Sequence, residues 1–222
     1  MKDRLIAILN LENIVGLDRF VHVMTILGIL MMTIIYRITD APRLSLISGA
    51  FGIISVLLCS SKKVGFYLFG FVQLITYVIL CVQQRLYGEI AENVFYFITM
   101  IWGLYHWMKH YNYDVAEVET RTLNAGQKAW VLIVTTLLTL AVFNILLVTD
   151  DTQPFMDAVT TVPAFVAQIL SITRYKDSWI YWFIIDVGSI IMWSVAGDWC
   201  MVAQFICWTI NCVYGYYKWN KK

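Results

Sequence analysis

Hydrophobic residues fall into eight long runs that are separated by short polar stretches. Each run is free or nearly free of charge and is close to the ~20 residues that a membrane-spanning helix needs. The runs cover roughly residues 20–36, 44–60, 64–82, 90–108, 129–149, 155–173, 178–197 and 199–217. The pattern predicts an all-α integral membrane protein with eight transmembrane helices, surrounded by a lipid bilayer.

The composition excludes the soluble classes of protein. Hydrophobic residues make up 60% of the chain and charged residues 14%, whereas soluble domains carry about 25% charge. The longest polar stretch, residues 109–128, is too short for a soluble domain. Net charge is +1, which gives no reason to expect a nucleic acid as partner.

The distribution of Lys and Arg predicts the topology. If all eight runs span the membrane, thirteen basic residues share one face with both termini. The opposite face holds only Arg37, Arg43 and Arg85. Because short loops with excess Lys and Arg stay inside the cell, both termini are predicted to be cytoplasmic.

An internal duplication organises the chain. The sequence GLYHWMK at 103–109 matches GYYKWNK at 215–221 at four alternate positions, and the same offset of 112 aligns Lys62 with Arg174 and Tyr67 with Trp179. The second to fourth runs then correspond to the sixth to eighth, and the fifth is a linker helix that restores the orientation of the second copy. Parallel repeats of this kind occur in transporters of the SWEET type, with the substrate between the copies.

The predicted architecture is a 3+1+3 parallel-repeat, SWEET-like core preceded by one extra N-terminal helix. It divides the chain into an N-terminal segment with the extra helix, a first three-helix repeat, a cytoplasmic loop with the linker helix, and a second three-helix repeat. These four parts cover residues 1–43, 44–110, 111–150 and 151–222.

Polar residues in the middle of a span mark the protein interior, because each unpaired polar group in hydrocarbon costs several kcal/mol. In the eighth run Gln204, Trp208 and Asn211 share one helical face, and the seventh offers Trp182 and Asp186 at a similar spacing. At 1.5 Å per residue, Asn211 and Asp186 lie about 18 Å and about 12 Å into their spans, near the midplane. An ionisable residue at this depth is a functional candidate by default.

The first copy adds candidates on the third and fourth runs, at corresponding levels. The predicted substrate-binding set is completed by Gln73, Tyr77, Tyr96 and Thr99. Tryptophan and tyrosine rings beside amides and a carboxylate suit a ligand with a flat ring and several hydroxyls.

Other chemistry finds little support in the sequence. The five cysteines lie in or beside apolar runs and are interpreted as small packing residues, and the sequence holds only three histidines. We therefore predict no metal, no cofactor and no catalytic residues. Trp107, Trp219, Tyr105 and Tyr217 are interpreted as an interfacial aromatic belt.

The order of several short sequences resembles a known family. YLFG at 67–70, LYGE at 86–89, WGLYHW at 102–107, QFICWTIN at 204–211 and GYYKW at 215–219 look like the bacterial nicotinamide riboside transporters called PnuC. The resemblance covers residues 44–222. It implies a facilitative carrier of nicotinamide riboside in the bacterial inner membrane, with trapping by a cytosolic kinase, a SWEET-like fold and a homotrimer, and it implies that Gln204, Trp208 and Asn211 recognise the substrate.

Other substrates, another mechanism and another class of protein stay open as alternatives at this stage. The substrate could be thiamine or riboflavin, which relatives of the family carry, or a sugar. A proton-coupled symporter would use Asp186 as its titrating group. A membrane enzyme would need clustered Asp and His residues, which the sequence does not offer.

Overall fold

The computed structural model describes residues 17–39, 43–84, 87–112, 114–115, 117–148, 154–196 and 199–221. Within these ranges there are eight helices, one on each of the predicted apolar runs. They are α1 (Arg19–Thr39), α2 (Arg43–Ser60), α3 (Phe66–Gln84), α4 (Tyr87–Lys109), α5 (Ala125–Leu146), α6 (Pro154–Ile172), α7 (Ser178–Ala196) and α8 (Trp199–Asn220). Two short strands, β1 (Tyr111–Asn112) and β2 (Glu117–Val118), pair antiparallel in the stretch that the sequence indicated only as a polar loop.

The helices make this a multi-pass membrane protein. Four of those in the described ranges, α1, α2, α5 and α6, are long and apolar enough to cross a bilayer. Shorter apolar stretches lie in α3 and α7, at Phe66–Ile79 and Ser178–Ile191. The mainly helical membrane fold is therefore confirmed, and the count of eight crossings stays a prediction.

Contacts divide the chain into two compact units. The first comprises Met1–Glu119 with Tyr217–Lys222, and the second comprises Thr120–Tyr216. The last turn of α8 therefore belongs to the first unit, while the rest of that helix belongs to the second.

In the first unit α2 and α3 pack closely through small residues. Ser55 Oγ donates to the backbone oxygen of Phe66 at 2.9 Å, and Ser48 Oγ donates to that of Gln73 at 3.4 Å. At Gly70 an added Cβ would lie 2.7 Å from Met100 Cε and 2.9 Å from Ser55 Oγ, so no larger side chain fits there without a shift. Side-chain hydroxyls that bond to backbone oxygens are typical of helix packing in membranes.

In the second unit α5 begins with a capping box. Asn124 Oδ1 accepts from the backbone N–H of Gln127 at 2.8 Å, and the Gln127 side chain accepts from the backbone N–H of Asn124 at 3.0 Å. Thr135, Thr136 and Asn144 all donate to backbone oxygens four residues earlier in α5. These bonds satisfy the polar groups of a helix whose surface is mostly exposed, and its role as a linker stays a prediction.

Two turns related by the 112-residue offset share an unusual backbone conformation. Lys62, in the turn between α2 and α3, has φ 60°, and Arg174, in the turn between α6 and α7, has φ 68°. The backbone oxygen of Lys62 accepts from the N–H of Val118 at 3.0 Å, and that of Arg174 accepts from the N–H of Arg121 at 2.7 Å. Helices α7 and α8 also begin 112 positions after α3 and α4.

The prediction of an interfacial aromatic belt is wrong for Trp107 and Trp219. Trp107 and Trp219 are only 1% and 2% exposed, and their rings lie 5.7 Å apart between centroids. The Trp107 ring also contacts Phe66 and Tyr67, and Trp219 Nε1 donates to the backbone oxygen of Cys59 at 3.2 Å. The backbone oxygen of Cys59 thus takes the hydrogen bond that the Trp219 indole N–H would make to water at the membrane interface. Tyr105 and Tyr217 are exposed, as a belt requires.

Candidate functional site

The three candidates on α8 differ in burial. Asn211 is fully buried, whereas Gln204 and Trp208 are half-buried. The Trp208 ring meets Phe205 edge-on at 5.3 Å. Its Nε1 atom is buried and has no hydrogen-bond partner among the described residues. A buried indole N–H without a protein acceptor is a donor that a bound ligand could use.

Asp186 on α7 is buried and hydrogen-bonded to α8. Cys212 Sγ donates to Asp186 Oδ2 at 3.2 Å. Cys212 directly follows Asn211, so the structure brings the acidic candidate and the amide candidate of the second unit to one level. No local pattern in the sequence indicates this contact, because the two residues are 26 positions apart and a cysteine in an apolar run is normally a packing residue.

Trp182, the other candidate on α7, is connected to α6. Its Nε1 atom donates to Ser171 Oγ at 2.9 Å, which leaves the half-buried ring as the surface it offers to a ligand. Ser171 is itself buried. The hydrogen bond fixes the orientation of the Trp182 ring on the face that also carries Asp186 one turn later.

The candidates of the first unit lie on α3 and α4. Thr99 is buried and donates to the backbone oxygens of Phe95 and Tyr96. The Tyr96 hydroxyl donates to Glu92 Oε1, one turn earlier. Gln73 and Tyr77 are half-buried on successive turns of α3. Each of the nine predicted residues thus lies on the helix that its apolar run predicted. Four belong to the first unit and five to the second. Their role in binding stays a prediction.

Two further buried amides are not among the nine predicted site residues. Asn93 on α4 and Gln168 on α6 are both buried inside apolar helices. The criterion that selected Gln204, a polar amide inside a span, applies to them equally, so the sequence contained the information needed to find them.

Comparisons with known proteins identify the family. The family described as Nicotinamide mononucleotide transporter matches residues 43–221. The nicotinamide riboside transporter PnuC of Haemophilus influenzae is 29% identical over 98% of this chain and 96% of its own length, and that of Neisseria mucosa is 26% identical over 93% and 82%. The Escherichia coli protein of the same name is 27% identical over 76% and 81%.

A solved structure supports the same assignment. The crystal structure of the vitamin B3 transporter PnuC superposes with a TM-score of 0.79 at 25% identity and covers 92% of each chain. The similarity therefore extends over nearly the whole length, including helices on both sides of α5.

Proposed function

Because this chain belongs to the nicotinamide mononucleotide transporter family, we propose that it carries nicotinamide riboside across the bacterial inner membrane. It is a membrane transporter and not an enzyme. The observation that carries the substrate assignment is the group formed on α7 and α8 by Asp186, Asn211 and Trp208. This group combines a buried carboxyl, a buried amide and an indole whose Nε1 atom has no acceptor among the described residues.

The charge of these residues favours the riboside over the mononucleotide named in the family description. A phosphate group carries a charge of about −1.5 to −2 and is normally bound by Arg, Lys or clustered N–H donors. None of the nine candidate residues is basic, and their only formal charge is that of Asp186. The riboside is a cation with a ribose, so tryptophan faces and a carboxyl suit its pyridinium ring and the amides suit its hydroxyls.

The architecture proposed for this function is eight membrane crossings in a 3+1+3 arrangement, with both termini in the cytoplasm. The matched starts of α3 and α7 and of α4 and α8 support the repeat, as do the left-handed residues Lys62 and Arg174. A periplasm-only reporter fused after Lys222 should be inactive. Activity of that reporter would contradict the topology.

The proposed mechanism is uniport by alternating access, followed by phosphorylation of the imported riboside by a cytosolic kinase. Proteoliposomes should take up nicotinamide riboside until the inside and outside concentrations are equal. Accumulation against a gradient under an imposed proton gradient would instead indicate a symporter with Asp186 as the coupling residue. The predicted homotrimer is tested separately, by the mass of the purified protein with its detergent subtracted.

A ligand panel tests the substrate assignment. Thermal unfolding of the purified protein is measured with nicotinamide riboside, its mononucleotide, thiamine, riboflavin and glucose. A ligand at 100 times its Kd stabilises the folded state by about 2.7 kcal/mol, so only the riboside should raise the melting temperature by several degrees. A larger shift with thiamine, which is also a cation, would identify that vitamin as the substrate.

A further inference from the structure

Four charged residues form an ionic clasp in the first unit, and none of them is a candidate site residue. The clasp consists of Asp18 before α1, Lys62 in the α2–α3 turn, Glu117 on β2 and Lys218 at the end of α8. Lys218 Nζ lies 3.2 Å from Asp18 Oδ2 and 3.4 Å from Glu117 Oε1, and Lys62 Nζ lies 3.8 Å from Glu117 Oε2. Glu117 thus lies between two ammonium groups that belong to distant parts of the sequence.

The clasp holds the end of α8 and the hairpin on the α2–α3 turn. Lys62 Nζ donates to the backbone oxygen of Lys221 at 2.9 Å, and the backbone oxygen of Lys62 accepts from the N–H of Val118 at 3.0 Å. Trp219 donates to the backbone oxygen of Cys59 beside the same turn. Trp219 and Lys221 are therefore attached to α2 and the α2–α3 turn by hydrogen bonds, and the Trp219 ring is buried.

The α2–α3 turn, which receives these bonds, contains a lysine with an unfavourable backbone conformation and two partly desolvated lysine side chains. A lysine at positive φ is strained, because its Cβ crowds the backbone. Burial also lowers the pKa of Lys62 and of its neighbour Lys63 below the ordinary 10.5, against the opposing attraction of Glu117. Strained and desolvated groups persist only where surrounding contacts fix them, and they are common at elements that change conformation.

We propose that Glu117 is a positioning residue, which acts through Lys218 to restrain α8 and so limits the rate of transport. The inference rests on the proposed function, because α8 also carries Trp208 and Asn211. Asn211 is two turns, about 10 Å, from Lys218 along one continuous helix, so release of the clasp frees the end of the helix that carries the candidate binding face. The ion pairs are partly exposed, which makes the restraint weak enough to open in each transport cycle.

Hydrogen exchange measured by mass spectrometry on the full-length protein tests the restraint without any substrate. Glu117→Gln keeps the shape of the side chain and removes its charge. Amides of residues 61–68 and 217–221 should then exchange about three- to tenfold faster, as the loss of two partly exposed ion pairs predicts. Asp114→Asn, at an exposed carboxylate of the same loop, is the matched control and should leave exchange unchanged.

Ionic strength provides the second measurement. Raising it from about 0.05 to 0.5 M shortens the screening length several-fold. Exchange should then speed up more in the wild type than in Glu117→Gln, which keeps only the Lys218–Asp18 ion pair of the clasp. Equal exchange in the two proteins, or the same salt response in both, would overturn the proposal. If Glu117→Gln does not purify in folded form, Lys218→Gln removes the ion pairs of Lys218 with Glu117 and with Asp18 and carries the same expectations.

Uptake into proteoliposomes distinguishes positioning from a merely structural role. Glu117→Gln should raise the maximal uptake rate of nicotinamide riboside about two- to fivefold, while the Kd from calorimetry stays within about twofold of the wild type. An unchanged or lower maximal rate contradicts the restraint. If the wild type does not bind the riboside at all, the proposed function fails, and the exchange measurements still decide whether the clasp exists.

Discussion

Cys212 donates a hydrogen bond to Asp186 across 3.2 Å, from Sγ to Oδ2, and both side chains are 3% exposed. The bond joins the carboxyl of α7 to the turn of α8 that carries Asn211. A carboxyl inside a span needs such a donor, because an unpaired polar group in hydrocarbon costs several kcal/mol. The thiol therefore supplies a hydrogen-bond donor to the candidate residue Asp186.

Replacement of Cys212 should distinguish the contribution of its hydrogen bond to stability from the contribution of its packing. Cys212→Val keeps a similar volume and removes the donor, so it should lower the free energy of unfolding by about 1–3 kcal/mol, the cost of a buried acceptor without a partner. Cys212→Ser keeps a donor and should stay close to the wild type. Thermal unfolding of the three purified proteins measures the difference, and equal stability of the serine and valine variants would show that the bond contributes nothing.

Gly215 should tolerate no side chain. A Cβ at this position would lie 2.6 Å from Trp179 Cε2, inside a buried part of the second unit. Gly215→Ala is expected to destabilise the protein by about 1–3 kcal/mol through overpacking. Gly126→Ala is the control, since its Cβ would meet only Asn124 Oδ1, at 3.5 Å. Melting temperatures that fall equally in both variants would contradict the argument.

Stability should rise with pH because of the buried lysines in the α2–α3 turn. Burial lowers the pKa of Lys62 and Lys63 below 10.5 in the folded protein. In the pH range between the lowered values and 10.5, the unfolded chain binds more protons than the folded one, so the free energy of unfolding increases with pH there. Below this range both lysines are charged and the destabilisation is fully present.

The substitution Lys63→Met should remove one of these buried charges. It is expected to raise the melting temperature at pH 7.5 and to reduce the further rise between pH 7.5 and pH 10. Lys109→Met, at an exposed lysine, is the control and should keep the pH dependence of the wild type. Identical pH dependence in all three proteins would show that burial of Lys63 has no net effect.

The sequence predicted the helices well because a membrane imposes a simple rule. Apolar runs of about 20 residues become helices, since hydrocarbon offers no partner to an open backbone. A helix lies on each of the eight runs, and the described polar groups of α5 bond to backbone oxygens of their own helix. The offset of 112 also predicted that Lys62 and Arg174 would occupy equivalent positions, and the two share a left-handed conformation.

The errors come from contacts that no local pattern encodes. Trp107 and Trp219 follow the usual pattern of an aromatic belt, but each has a buried partner more than a hundred positions away. The Cys212 bond to Asp186 depends on which faces of two helices meet, and a weak donor such as a thiol gives no sign of this in the sequence. The hairpin of β1 and β2 has only two residues per strand, too short for an alternating pattern to be recognised.

The decisive test of the candidate site uses Trp208 and Asn211. Asn211→Leu removes the buried amide at nearly constant volume and should weaken binding of nicotinamide riboside about 5- to 150-fold, the equivalent of ~1–3 kcal/mol for a polar ligand group left without a partner. Trp208→Ala should weaken it similarly by removing the ring and its Nε1 donor. Tyr217→Phe, at an exposed ring, is the control and should leave binding unchanged. Calorimetric titration of the three folded variants gives the Kd values, and unchanged binding in both Asn211→Leu and Trp208→Ala would assign this face of α8 to helix packing.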